Sequence, residues 1–170
     1  MINAAGREIP DHLLKEYGKT GYQGMIFRDD ASYKKAAPTV RAAVDPSRDK
    51  QVASIHEALV KCGIRDGMVL SFHHHFRDGD YIVNMVMEEV ARMGIRDITI
   101  CASSLGAAHD PVARMIEEGI VTGIQSSGVR GKIGEAISYG KLKTPAIIRS
   151  HGGRVRAIEE GDVHIDIAFI

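Results

Sequence analysis

A dense run of polar side chains follows a short apolar stretch near residue 70. Met68–Leu70 is apolar, and the residues after it include one serine, three consecutive histidines and one arginine: Ser71, His73, His74, His75 and Arg77. Imidazole rings can hydrogen-bond an anion or transfer a proton near neutral pH, and a guanidinium can bind a carboxylate. The run therefore indicates an anion-binding or proton-transfer site where a strand ends.

A second polar run, Ser150 to Arg154, follows the apolar segment 145–149 and contains His151 and the pair Gly152-Gly153. Adjacent glycines allow the main chain to approach a ligand closely and leave N–H groups to face it. The guanidinium of Arg154 could then bind a carboxylate through two bonds. We predict a ligand-binding loop here, and the alternative is a plain turn with a solvated arginine.

Two further predicted strands end in serine pairs, Ser103-Ser104 and Ser126-Ser127. The carboxyl ends of parallel strands share one edge of a sheet, and ligands bind there because helix N-termini with free N–H groups meet at that edge. Donors at four strand ends would suit a carboxylate, a phosphate or a developing oxyanion. Alternatively, these small polar residues only cap helices and form tight turns.

The histidine triplet has three interpretations. If the strand extends that far, His73 and His75 face one way and His74 the other. The imidazoles could bind an anionic substrate or shuttle a proton, could be structural, or could bind zinc. A zinc site would need a further ligand, for which the candidates are His109, His151, Asp78 and Asp80. No HExxH motif or cysteine pair supports zinc, so we predict no metal in this domain.

Common nucleotide and hydrolase motifs do not account for these residues. The sequence has no Walker A order and no GxGxxG fingerprint, which disfavours a nucleotide triphosphatase or an NAD enzyme. A Ser/His/Asp hydrolase could be assembled from Ser71 or Ser150, a histidine and Asp78. It would lack the GxSxG elbow, so this class is also disfavoured.

Apolar segments and helical periodicities alternate along the chain. Strands are predicted to start near residues 68, 97, 121, 145 and 163, with helices between them at 49–62, 81–93, 110–119 and 132–139 and a short helical turn before residue 161. This order predicts an α/β fold with an open, mostly parallel sheet and helices on both faces. The helix 81–93 is apolar round most of its circumference and is expected to be buried on nearly every side, with Asp78 or Asp80 as its N-cap. Asp110 is expected to cap the helix that follows it.

The bulk composition excludes several partners. The 170 residues carry 22 basic and 22 acidic side chains, so no global charge favours nucleic acid or a membrane surface. The N-terminus lacks the long apolar run of a signal peptide, and no stretch approaches transmembrane length. Cys62 and Cys101 are expected to be buried thiols in a reducing compartment, and we predict a cytoplasmic protein.

Residues 1–48 give a weak signal, because glycines and prolines interrupt them. We predict an irregular N-terminal arm with a helical turn at 11–17 and a possible strand at 39–43, followed by one α/β domain at 49–170. The sequence ends in an apolar strand, Phe169-Ile170. We therefore expect a fragment of a longer chain.

Long stretches of the sequence resemble the citrate lyase α chain family of the coenzyme A transferase superfamily. The resemblance is carried by residues 66–87, which include the histidine triplet, by residues 148–159, which include Ser150 to Arg154, and by the closing segment 165–169. It extends over nearly all of the sequence from residue 51. It implies a fold of the coenzyme A transferase type, present twice in a longer chain, of which this would be the first copy.

The family implies a citrate:acetyl-thioester acyl transferase. Citryl would replace acetyl on the prosthetic group of the acyl carrier protein, or on coenzyme A, with release of acetate, and a β chain would then cleave the citryl thioester to oxaloacetate. The implied partners are citrate, the acyl carrier protein (γ chain) and the β chain, in an oligomer. A platform domain that binds the partners without catalysis, a relative specific for citramalate, and a metal-dependent protein similar to sugar-phosphate isomerases remain alternatives.

Within this resemblance we assign roles to the polar runs. The catalytic candidates are His73, His74, His75, Ser150 and His151. The candidates for binding substrate or cofactor are Ser71, Arg77, Ser103, Ser127, Gly152, Gly153 and Arg154. Asp66-Gly67 matches an Asp-Gly of related transferases, but residues 71–75 stand where those enzymes have a glycine-rich loop, and no counterpart of their catalytic glutamate is found.

Overall fold

The structure is a computed structural model that describes residues 1–21, 50–73 and 80–170. The chain divides into two compact units, residues 1–35 and 36–170. In the first unit, α1 spans Asp11–Glu16, and the N-terminal ammonium bonds the carboxylate of Asp11 at 2.7 Å. The predicted helical turn at 11–17 is therefore confirmed. The strand predicted at 39–43 and the domain boundary predicted at residue 48 lie outside the described residues and stay predictions.

The second unit is built around a parallel sheet. Its elements in chain order are α2 (Ile55–Lys61), β1 (Val69–Phe72), α3 (Ile82–Arg92), β2 (Ile98–Ala102), a 3₁₀ turn (Ala107–His109), α4 (Val112–Glu117), β3 (Val121–Ser126), α5 (Gly131–Ser138), β4 (Ile147–Ile148), α6 (His151–Glu159) and β5 (Ile167–Phe169). Within the described ranges the sheet has five strands in the order β4-β3-β2-β1-β5, and every neighbouring pair is parallel. The predicted α/β fold is confirmed.

Helices cover both faces of this sheet. Leu70, Phe72 and Ile100 point to the face on which α2, α3, α4 and α5 pack, and they are almost completely buried there. Because side chains alternate along a strand, Ser71 and Cys101 point to the opposite face. We call the two the α2–α5 face and the α6 face, since α6 packs on the second one through Ala157.

Helix α3 differs from its prediction. It was expected to be buried on nearly every side, but Ile82 and Met85 are 43% and 42% exposed. The prediction was wrong because the helix contacts the core along one face only, through Val83, Met87 and their neighbours. Asp80 is not the N-cap as expected, because Tyr81 occupies that position without a side-chain cap bond. Asp80 lies one residue earlier, and its Oδ1 accepts a hydrogen bond from the Ile82 N–H at 3.0 Å.

The expected role of Asp110 is also wrong. Helix α4 starts at Val112 without a side-chain cap, and the carboxylate of Asp110 instead accepts a hydrogen bond from the Lys132 N–H at 2.8 Å, at the start of α5. Gly131 permits this contact because its φ is +64° and because a Cβ there would lie 2.3 Å from Asp110 Oδ1. Asp110 therefore ties α4 to α5.

The two cysteines lie in different environments. Cys101 is buried in β2 as expected, but Cys62 is exposed, because it follows the last turn of α2 on the solvent side. Neither is in a disulfide. In the described part of the chain, no helix has the length and apolar character needed to cross a membrane.

Candidate active site at the carboxyl edge

The carboxyl ends of four adjacent strands form a continuous row. Main-chain bonds join each end to the next, from the Ser103 N–H to the Phe72 carbonyl at 3.4 Å and from the Ser127 N–H to the Ser103 carbonyl at 3.3 Å. The Arg149 N–H likewise bonds the Ser126 carbonyl at 2.9 Å. The row runs from His73 after β1, through Ser103 and Ser127, to Ser150 after β4.

Two of the predicted site residues are in direct contact in this row. The hydroxyl of Ser127 lies 3.2 Å from Nδ1 of His151. Ser127 is half-buried, whereas His151 is exposed. A hydrogen bond to Nδ1 orients the ring, so the other ring nitrogen, Nε2, can face a ligand and exchange a proton with it.

The predicted glycine loop is a helix, and this part of the prediction is wrong. Helix α6 begins at His151 and contains Gly152, Gly153 and Arg154, while the Ser150 hydroxyl caps it by accepting a bond from the Gly153 N–H at 3.0 Å. Among the described residues, the N–H groups of His151 and Gly152 have no acceptor. The expected free donors are therefore present, but they belong to a helix terminus.

Arg154 lies on the α6 face rather than in the row. Its Nη2 donates to the Ser71 hydroxyl at 2.7 Å and to the Cys101 carbonyl at 3.3 Å. These bonds connect α6 to β1 and β2, so two of the predicted binding residues, Ser71 and Arg154, bind each other. A ligand-binding role for Arg154 stays a prediction that concerns its remaining N–H groups.

Four of the sequence candidates lie outside the described residues: His74, His75, Arg77 and Asp78. His73, at the end of β1, is exposed, and its N–H bonds the Phe169 carbonyl of β5 at 3.1 Å. The other described metal candidates have protein contacts: Nδ1 of the buried His109 accepts a hydrogen bond from the Gly106 N–H at 3.0 Å, His151 contacts Ser127, and Asp80 bonds the Ile82 N–H. Across residues 1–21, 50–73 and 80–170, no three His, Cys, Asp or Glu side chains are grouped to hold a metal ion.

Two polar residues near the row were missed in the sequence. Asn84 is 7% exposed in α3, and its amide nitrogen donates to the Ala108 carbonyl at 2.7 Å, which fixes the 3₁₀ turn against α3. The sequence offered one signal for this residue, because Asn84 is the single amide in the apolar run 82–87. Arg149 was missed because it ends a strand, where an arginine is usually solvated. Here it is half-buried and bonds the Gln125 side chain at 2.7 Å.

A groove of about 760 Å³ lies elsewhere, on the outer side of α4 and α5. Charged side chains such as Glu117, Lys132 and Lys141 line it, and none of the predicted site residues does. Volume alone therefore does not identify the site. The carboxyl edge is the better candidate because the donors converge there.

The sequence is similar to one family of known proteins over most of its length. Residues 48–170 match the family model described as citrate lyase, alpha subunit (CitF). The citrate lyase alpha chain of Haemophilus influenzae is 43% identical over 145 residues, which are 85% of this chain and 29% of that protein. The one from Escherichia coli is 44% identical over 135 residues, or 79% of this chain and 26% of that protein.

A solved structure agrees with these matches. The crystal structure of a proposed alpha subunit of citrate lyase from Streptococcus mutans, in complex with citrate, is 50% identical and superposes with a TM-score of 0.75. The match covers 98% of this chain and 32% of that one. This chain thus spans less than a third of the length of the relatives it matches.

Proposed function

This chain belongs to the citrate lyase alpha subunit family, and on that premise we propose that it forms part of an acyl transferase that exchanges acetyl for citryl on a thioester. In this exchange the C–S bond to acetyl breaks, a C–S bond to citryl forms, and one carboxylate oxygen of citrate leaves with acetate. The thioester is carried by the acyl carrier protein or by coenzyme A. The β chain then cleaves the citryl thioester to oxaloacetate and regenerates the acetyl thioester.

The observation that supports this proposal best is the row of hydrogen-bond donors at one edge of the sheet. The exchange places a citrate carboxylate beside a thioester and develops negative charge on the attacked carbonyl oxygen. Donors that are fixed before the reaction stabilise such charge without reorganising. The N–H groups of His151 and Gly152 are donors of this kind, and the Ser127 hydroxyl lies 3.2 Å from Nδ1 of the His151 side chain.

The remaining residues of the row complete the assignment. Ser103, Ser127 and Ser150 line the cleft, and His151 hydrogen-bonds the ligand through Nε2. Gly153 gives its N–H to Ser150, so its contribution is to shape the first turn of α6. His73 acts together with His74, His75 and Arg77, which lie outside the described residues, to hold the carboxylates of citrate or polarise the carbonyl.

The partners follow from the same reaction. The carrier, the γ chain, must present its thioester at the carboxyl edge, and the β chain must receive the citryl product, so we propose an oligomeric complex in the cytoplasm. A relative specific for citramalate would use the same donors. A platform domain would bind the carrier at this edge without exchanging its acyl group.

The test measures acetate release by the full-length protein from an acetylated carrier on addition of citrate. We expect His151→Ala and Ser127→Ala each to slow the exchange by at least about tenfold, because each removes a group that faces the reacting carbonyl. His75→Ala extends the test to the triplet. His164→Ala is the matched control, since His164 is 83% exposed and lies beyond α6.

Each outcome of this assay supports or excludes one interpretation of the protein's function. If both His151→Ala and Ser127→Ala exchange at the same rate as the unaltered protein, the row is not the site. A protein that binds the carrier but releases no acetate is a platform. Faster release with citramalate than with citrate identifies citramalate as the substrate.

A further inference from the structure

One amide side chain lies on the core-facing side of α3. Asn84 is 7% exposed, and its neighbours on that side, Val83, Val86 and Met87, are apolar and almost completely buried. A buried amide reduces stability unless its polar atoms are hydrogen-bonded. Asn84 meets this condition only in part, because its Oδ1 is buried and has no partner among the described residues. Apolar packing alone therefore does not explain an amide at this position.

The amide nitrogen of Asn84 attaches the 3₁₀ turn at Ala107–His109 to α3. Nδ2 donates to the Ala108 carbonyl at 2.7 Å, a bond that an apolar side chain cannot make. Within the turn, Nδ1 of the buried His109 accepts from the Gly106 N–H at 3.0 Å, and the His109 N–H bonds the Gly106 carbonyl at the same distance. The turn is thus closed by its own hydrogen bonds and held in place by Asn84.

The segment that leads into this turn is bonded to the part of the row that contains Ser127. The Leu105 N–H bonds the Gly128 carbonyl at 2.9 Å, and the Leu105 carbonyl accepts from the Arg130 N–H at 2.9 Å. The Ser103 carbonyl accepts from the Ser127 N–H at 3.3 Å. The main chain on both sides of the Ser127 side chain is therefore held by this segment.

These bonds connect α3 to the contact between the Ser127 hydroxyl and Nδ1 of His151, which are 3.2 Å apart. Building on the proposed function, we propose that Asn84 is a positioning residue for the acyl exchange. It does not contact the reacting groups. It fixes the turn, and the segment before the turn fixes Ser127 against His151. Without the bond to Ala108, the row would no longer be held in place before the reaction, and charge stabilisation would weaken.

Steady-state exchange by the full-length protein, with an acetylated carrier and citrate, tests the proposal. Asn84→Ala and Asn84→Asp both remove the N–H donor, and Asn84→Asp keeps the size of the side chain if the alanine variant does not fold. We expect each to lower kcat by about fivefold or more and to change KM for citrate by less than about twofold, because the positioned groups act on charge that develops in the transition state.

Val90→Ala is the matched control for this assay. It truncates a fully buried side chain in the same helix, about 9 Å further along the helix axis at 1.5 Å per residue. Valine has no polar atom that could bond the turn. Val90→Ala should therefore retain kcat at a temperature at which every variant is folded.

A double variant tests the route from Asn84 to Ser127. If Asn84 acts through Ser127, combining Asn84→Ala with Ser127→Ala should slow exchange by no more than about twofold beyond Ser127→Ala alone, whereas independent effects would multiply. Hydrogen–deuterium exchange gives a readout that needs no catalysis. The amide protons of Leu105 and Ser127 should exchange faster in both Asn84 variants than in the unaltered protein, and Val90→Ala should leave them unchanged.

Several results would overturn the role of Asn84. They are an unchanged kcat in a folded Asn84 variant, a loss that appears in KM instead of kcat, losses that multiply in the double variant, and unchanged exchange of the Leu105 and Ser127 amides. Failure of the proposed function gives a different result, because Ser127→Ala and His151→Ala would then leave acyl exchange unchanged. If those two variants slow exchange and the Asn84 variants do not, only the role of Asn84 is excluded.

Discussion

The two faces of the sheet are built in different ways. The α2–α5 face carries a continuous apolar core to which four helices contribute, and residues such as Leu59, Ile100 and Ile133 are fully buried in it. Among the described residues, the α6 face carries helix α6 and a small apolar cluster of Cys101, Ala157 and Val163. Val69, Ile158 and Ile165 pack against this cluster, and polar contacts on the same face include the bond between Arg154 and Ser71.

The two faces therefore contribute different things: one mainly stabilises the fold, and the other mainly positions the candidate site. Apolar burial supplies most of the free energy that keeps the fold together, and it is concentrated on the α2–α5 face. The α6 face, with less apolar area, positions the first turn of a helix at the carboxyl edge through directional hydrogen bonds. We therefore expect substitutions on the first face to act on the free energy of unfolding and those on the second to act mainly on ligand binding and exchange.

The largest contrast should come from two neighbouring residues in β2. Ile100→Ala removes a fully buried side chain from the α2–α5 face and should lower the free energy of unfolding by about 2–5 kcal/mol. Cys101→Ala removes one buried sulfur from the α6 face and should cost only about 1 kcal/mol. Chemical denaturation of the two variants measures both values, and equal costs would contradict the asymmetry of the faces.

A smaller effect should come from the hydrogen bond between the Asp110 carboxylate and the Lys132 N–H, which joins α4 to α5. Gly131→Ala places a Cβ 2.3 Å from Asp110 Oδ1 at a positive φ, whereas Gly140→Ala has a positive φ with no atom within 4 Å of the Cβ. The backbone strain costs about 1–2 kcal/mol in both variants. Gly131→Ala should cost about 1 kcal/mol more, because it also displaces Asp110 from the Lys132 N–H. If the two variants unfold at the same denaturant concentration, the Asp110 contact contributes nothing.

The smallest effect is a change in stability with pH, and it comes from a residue that belongs to neither face. Asp97 lies just before β2, and hydrogen bonding by the Thr122 hydroxyl, followed by that of Lys143, lowers the pKa of its carboxyl below the ordinary value. A lowered folded-state pKa contributes stability that is present above the unfolded pKa and lost as pH falls through the folded pKa. Asp97→Asn keeps a residue type that tolerates the positive φ of 62° but removes the charge.

The measurement compares the unfolding of Asp97→Asn and the unaltered protein between pH 7 and pH 2. Their difference should be constant down to about pH 5 and shrink below the unfolded pKa of about 3.9. A difference that grows as pH falls would mean that the carboxylate is not stabilised in the folded protein. Because Asp97 is exposed at the amino edge, we expect no change in acyl exchange at neutral pH.

Much of the fold was predictable because its signals are local. The strands were identified from apolar runs. The first four start within two residues of their predicted positions, whereas β5 starts at Ile167 and not near residue 163. A carboxylate before an apolar helical run is a local signal for a helix start, and Asp80 does bond the first N–H of α3, although Tyr81 is the N-cap. The carboxyl edge followed from topology, since parallel strands end together.

Contacts through space could not be predicted in this way. Asp110 precedes α4 in sequence but bonds the start of α5, and only the folded chain brings Lys132 to it. The pair Gly152-Gly153 resembled a loop, because glycine lowers helix propensity, yet the Ser150 cap and the packing of Ala157 maintain a helix. The position of Arg154 against Ser71 depends on residues that are 83 apart in the sequence.

The large separation of these residues along the chain also affects the order in which parts of the molecule fold. The Arg154–Ser71 bond spans 83 residues and the bond from the Val69 N–H to Asp166 spans 97. Contacts so distant along the chain form late, since the entropy of closing a long loop opposes them until the intervening elements are in place. We therefore expect the closing third of the second unit to be the last part to fold, and its amide protons to be the first to exchange with solvent.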